Sequence, residues 1–154
     1  MTTWIPVSGR AEIGGCAWLL RMVQKARRIV ETGSGSKRIG EYIFGQNDPV
    51  DGMLLRFLGI SDEEVLDVVR AIPDDRAAAM QILTMSGKNP DECARFSRRL
   101  MRVNGLFLAM MDADEGRCKP SVRTSFLCWF YNRVIMAPAY AYFARKERAR
   151  SLPR

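Results

Sequence analysis

Five groups of residues could carry chemistry. Arg21, Lys25 and Arg28 recur at steps of four and three, a spacing that lines one side of a helix and could hold a phosphate or carboxylate. Arg95, Arg98, Arg99 and Arg102 form a denser row with no interleaved acid. Side by side, the two rows would make an anion site; apart, each is a solvated helix face. Asp112, Asp114 and Glu115 could bind a divalent cation or act as acid and base, but no apolar pocket is evident around them, and a helix end followed by a turn is the simpler reading. Gly33, Ser34, Gly35, Ser36 and Lys37 invite comparison with a phosphate-cradling loop, yet lack the Walker spacing and a preceding strand, so they read as a linker. Glu41 and Tyr42, set between glycines, could line a pocket with Lys25; a buried tyrosine with a hydrogen-bonded hydroxyl is the plainer account.

What is missing narrows the chemistry further. The chain contains no histidine, the usual general base near neutral pH, the commonest metal ligand and the middle member of most nucleophilic triads. An enzyme built on it would have to work with carboxylates, Lys, Tyr or Cys, and no such motif is recognisable; the balance leans towards a protein that is not an enzyme. Cys16, Cys93, Cys118 and Cys128 are too far apart for the close pairing of zinc sites, and the start MTTWIPVSGR has no apolar secretory run. The cysteines read as reduced thiols in a cytoplasmic protein, and no metal or other cofactor is called for.

At 154 residues, with 47% hydrophobic and 27% charged content, the chain suits one soluble domain able to bury a core without staples. The elements that must position these groups read as helices. Over residues 13–31, Leu19, Met22, Val23, Ala26, Ile29 and Val30 recur at helical steps, with Arg21, Gln24, Lys25, Arg27 and Arg28 on the other side. TGSGSKR breaks that helix as a surface loop, and IGEYIF is a short ordered element of open type. Asp48 and Pro49 cap a helix that runs to Leu58 and ends at Gly59; Ser61 with Glu64 opens another that Pro73 stops. A further helix covers residues 76–85. Asn89, Pro90 and Glu92 open the next, with Cys93, Phe96, Leu100, Val103 and Phe107 on one face and Asn104–Gly105 placed to interrupt it. No useful alternating pattern is present, so the expected class is all-α: a small helical bundle with a C-terminal helical extension.

The surplus charge is confined to that extension. Residues 1–117 hold 16 Lys and Arg against 16 Asp and Glu, whereas residues 118–154 hold eight against Glu147 alone. A helical body over 1–117 and a basic, aromatic extension over 118–154, packed on the body or on a partner, follow from this division. The extension combines Phe126, Trp129, Phe130, Tyr131, Tyr140, Tyr142 and Phe143 with Arg145, Lys146, Arg148 and Arg150. Residues 124–144 would span about 30 Å as a helix. They make a poor transmembrane segment, because Arg133 near the middle costs roughly 2.5–3.5 kcal/mol on insertion scales and Asn132 and Pro138 add to it. Three readings stay open. Residues 126–137 could be a buried helix in the core or a homodimer contact; the aromatic and basic groups could meet an anionic membrane surface, which would place the protein peripherally at the inner face; or they could bind nucleic acid. An acidic protein partner would suit the same charges.

The stretch Gly14 Gly15 Cys16 Ala17 Trp18 Leu19 Leu20 Arg21 Met22 with Lys25 Ala26 Arg27, then Gly40 Glu41 Tyr42, Phe57 Leu58 Gly59 and Asp112 Ala113 Asp114 Glu115 Gly116 Arg117, resembles an uncharacterised bacterial group, domain-of-unknown-function family 5069. The resemblance covers roughly residues 12–117. It implies a small, mainly helical cytoplasmic protein and carries no known activity. TGSGSKR is longer than the group's usual link before Gly-Glu-Tyr, and the basic extension lies beyond the shared region. If the shared core binds a ligand, Arg21, Lys25, Glu41 and Tyr42 are the expected contacts, where the loop returns the short element to the first helix.

Overall fold

A computed structural model describes residues 4–33, 37–119, 126, 129, 130, 133 and 134. The protein is mostly helical, with five α-helices and two two-residue strand pairs among the described residues. The chain divides into two compact units, Met1–Leu108 and Ala109–Arg154, within the last helix rather than at the charge boundary after Arg117.

The first element departs from the expected helix start. Glu12–Ile13 (β1) and Cys16–Ala17 (β2) form an antiparallel hairpin, pairing Glu12 with Ala17 and Ile13 with Cys16. Gly14 and Gly15, at φ 56° and 75°, form the two-residue connection that twisted hairpins favour. Helix α1 therefore begins only at Leu19 and runs to Thr32. Its N-cap, Trp18, lies in the left-handed region at φ 71°, a conformation that costs a bulky residue about 1–3 kcal/mol and persists only where the surroundings hold it. The IGEYIF element is a second hairpin, Arg38–Ile39 (β3) with Tyr42–Ile43 (β4).

The remaining helices start where their capping residues stand. Helix α2, Pro49–Leu58, begins at Asp48, whose Oδ1 accepts from the amides of Val50 and Asp51 at 2.8 and 3.0 Å. Helix α3, Asp62–Ala71, opens with the complete Ser61–Glu64 capping box. Helix α4 covers Asp75–Ser86 with Asp74 as its cap, and helix α5 runs unbroken from Pro90 to Asp114. Asn104 and Gly105 do not interrupt α5, and Val103 is 66% exposed instead of joining Cys93, Phe96 and Leu100 in the core.

Helix α1 lies at the centre of the first unit, packed on α3 and α4. Leu19, Met22, Val23 and Ala26 are wholly buried, and the larger of them contribute roughly 1.5–3 kcal/mol each. Phe57 of α2 stacks on Phe96 of α5 at 4.5 Å between ring centroids. Ser97, also buried, ties α5 to the first hairpin: its hydroxyl accepts from the Ala17 amide at 2.8 Å and donates to the Gly15 carbonyl at 2.7 Å.

Candidate functional site

Arg21 and Lys25 do not line a solvated face; both are 1% exposed. Lys25 is held there by a carboxylate pair from the start of α2. Lys25 Nζ donates to Asp51 at 2.8 Å, to Asp48 Oδ2 at 3.2 Å and to the Ile43 carbonyl at 2.9 Å. Asp51, itself wholly buried, accepts further from the Trp18 indole at 2.6 Å and from the Gly45 amide at 2.9 Å. Burial pushes the Asp51 carboxyl up, and Asp48 adds to the rise, against the opposing pull of Lys25 and Trp18. The Trp18 indole thus shares Asp51 with Lys25 and the Gly45 amide.

Arg21 takes a different set of contacts. Its Nη1 donates to the Val7 carbonyl at 2.7 Å, and its guanidinium lies 5.2 Å from the Trp18 ring and 5.3 Å from the Tyr42 ring. Tyr42 in turn meets Trp4 edge to face at 5.7 Å. Glu41 lies exposed on the tip of the second hairpin. Thus Arg21, Lys25 and Tyr42 are brought into one cluster around Trp18, with both cationic heads directed at groups of the protein. Asp51, the hub of that cluster, was missed by sequence reasoning, and its only sequence signal was an acid in the first turn of α2. Arg27 is likewise engaged, donating to Asp75 and to the Val69 and Ile72 carbonyls at 3.0 and 2.7 Å, where it satisfies the end of α3.

Beside this cluster, Asp62 accepts from Lys37 Nζ at 2.7 Å. That hydrogen bond, the foremost cause, raises the Lys37 ammonium above its ordinary value. Gly45 is required here on two counts. Its φ is 84°, and a β-carbon would come within 2.4 Å of the Asp62 carboxylate.

The other expected groups are resolved unevenly. Asp112 and Glu115 engage Arg117, at 3.8 and 3.0 Å. Among the described residues no group of three or more His, Cys, Asp or Glu side chains could hold a metal ion. Cys16 and Cys93, distant in sequence, are neighbouring buried thiols, and burial raises both. Ser34, Gly35 and Ser36 lie outside the described residues, as do Cys128, Arg145, Lys146, Arg148 and Arg150. Of the proposed dimer contact over 126–137, Phe126, Trp129, Phe130 and Val134 are 62, 61, 45 and 51% exposed, with Arg133 exposed beside them; the other positions lie outside the described residues.

Two surface openings contain none of Arg21, Lys25, Glu41 and Tyr42. One is an open groove of about 350 Å³ between α3 and α4, floored by Val68, Ile72 and Met85; the other, about 110 Å³, is bordered by Arg27, Arg28 and Asp75. No helix among the described residues is long and apolar enough to cross a membrane.

The chain belongs to the family described as Domain of unknown function (DUF5069), whose model matches residues 3–122. The match extends a little beyond 12–117 at both ends and stops before the aromatic and basic part of the extension. No curated protein and no solved structure matches the chain.

Proposed function

For a member of this family whose shared region stops at residue 122, we propose a non-enzymatic binding role, in which the C-terminal segment contacts an anionic surface and that surface is a lipid membrane. The observation that carries this reading is the exposure of Phe126, Trp129, Phe130 and Val134 around Arg133. Their spacing of three, four and eight residues from Phe126 groups them on one side of a helical segment. Aromatic side chains beside arginine suit the headgroup region, where rings lie at the acyl boundary and guanidinium groups meet phosphates.

Arg145, Lys146, Arg148 and Arg150 supply the longer-range attraction, worth about 1 kcal/mol per basic residue near an anionic surface. The protein then acts in the cytoplasm as a peripheral component of the inner membrane face. A small anionic ligand held by Arg21, Lys25, Glu41 and Tyr42 draws less support. The carbonyl and carboxylates around Lys25 already occupy its three donors.

Co-sedimentation with phosphatidylglycerol-containing and pure phosphatidylcholine vesicles tests the proposal. The full chain is expected to partition onto the anionic vesicles, and a form carrying R145Q, K146Q, R148Q and R150Q to lose most of that binding. Equal binding to both vesicle types would overturn the reading. Binding to single-stranded nucleic acid with a steep salt dependence and no response to lipid would replace it with the polynucleotide alternative.

A further inference from the structure

The membrane reading concerns the extension, but the first unit has a cationic face of its own. Arg95, Arg98, Arg99 and Arg102 are all exposed on α5, and none is engaged by a carboxylate among the described residues. Val103 and Leu106 accompany them, 66 and 52% exposed. At 100° per residue these six positions fall within about 140° of arc and extend about 17 Å along the helix. Cys93, Ser97, Leu100 and Leu108 occupy the opposite, buried side, with buried Phe96 at its edge beside Val103. Among the described residues these arginines take no hydrogen bond or ion pair, unlike Arg27, which secures the end of α3.

We infer that this face of α5 is a second lipid-contact surface, on which the four guanidinium groups meet lipid phosphates while Val103 and Leu106 enter the acyl boundary. It rests on the membrane role proposed for the protein and adds a contact from the first unit to that of the extension. Charge complementarity requires an anionic partner. The two exposed aliphatic residues select lipid over a polynucleotide, because the face carries no aromatic ring to stack on a base and no amide to read one. A headgroup layer, by contrast, has a use for both components: phosphates for guanidinium and hydrocarbon for Val and Leu.

The test compares the full chain with three variants: R95Q/R98Q/R99Q/R102Q, the corresponding lysine replacements, and V103S/L106S. Partition is measured onto phosphatidylglycerol-containing vesicles, with circular dichroism melting as the control for folding. Each arginine in contact is expected to be worth about fivefold, so the glutamine variant loses on the order of a hundredfold if three of the four engage. The lysine form retains most of the binding, and the serine form loses severalfold. Unchanged partition of the glutamine variant, with the R145Q/K146Q/R148Q/R150Q form still impaired, overturns this inference and leaves the extension's role standing. Loss in the glutamine variant with none in the extension variant does the reverse. Loss of self-association or of nucleic-acid binding in the glutamine variant, without loss of vesicle binding, assigns the face to those partners instead.

Discussion

Helices α1 and α5 carry cationic rows of nearly identical spacing, yet the folded protein uses them in opposite ways. Arg21 and Lys25 are buried, directed at Val7, Asp48 and Asp51, whereas Arg95, Arg98, Arg99 and Arg102 are exposed and form no ion pair with a carboxylate among the described residues. Spacing alone sets which residues share a helix face; it does not say what faces them. That depends on partners distant in sequence: the two carboxylates that cap and begin α2 for Lys25, and the Val7 carbonyl for Arg21. The same charge is thereby structural in one row and available for association in the other.

If this contrast is right, changes in the buried row should act on stability. Asp51→Ala leaves Lys25, the Trp18 indole and the Gly45 amide without their common acceptor, and chemical denaturation should register a loss of about 3–5 kcal/mol. Lys25→Met together with Asp51→Leu should cost less than the sum of the single changes, because neither charge is then left buried alone. A simple sum would separate the two groups energetically and break the account of the cluster.

Gly45→Ala should cost about 2–4 kcal/mol, combining the left-handed backbone with displacement of Asp62. A melting temperature equal to that of the unaltered protein would show that the Asp62–Gly45 contact yields freely. A smaller effect follows from the capping box. Hydrogen bonds from the Ser61 backbone, first, and from its hydroxyl hold the Glu64 carboxyl below its ordinary value. The associated stability is present above that ordinary value and is lost as pH falls through the lowered one. Glu64→Gln should therefore reduce the acid-side slope of stability against pH while leaving the alkaline side alone; an unaltered acid slope would contradict this.

At the other end of the scale, replacing all four exposed arginines of α5 by glutamine should shift stability by only about 0.5 kcal/mol per site or less. Its effect belongs to binding. A cooperative loss of stability in that variant would show that the row is part of the fold and would erase the contrast with α1.

Much of the helical framework was legible because its signals are local. Asp48 with Pro49, Ser61 with Glu64, Gly59 and Pro73 each act on neighbouring backbone groups, and α2 and α3 begin and end where those residues stand. The beginning of α1 was less legible. Gly14 and Gly15 marked a turn, but strands of two residues give no alternating pattern, and the apolar spacing of α1 ran on towards them. The burial of Lys25 could not be read at all, since it depends on Asp51, 26 residues beyond it, and that of Arg21 depends on the Val7 carbonyl and the Trp18 and Tyr42 rings. Asp48 carried a local signal as a cap, which concealed its second task as a partner of Lys25. Cys16 and Cys93 illustrate the same point with thiols, brought together only by the packing of the first hairpin on α5. What the sequence conveyed about the extension was its charge and aromatic content; the exposure of Phe126, Trp129, Phe130 and Val134 came from the structure.

Trp129 offers a direct readout of the membrane role, since it is 61% exposed while Trp18 is 1% exposed. Titrating the full chain with anionic vesicles containing lipids brominated near the headgroup should shift its emission to the blue and quench it, and Trp129→Phe should abolish that response. Emission unchanged by such vesicles, or quenching that persists undiminished after Trp129→Phe, would contradict insertion of the extension into the lipid surface.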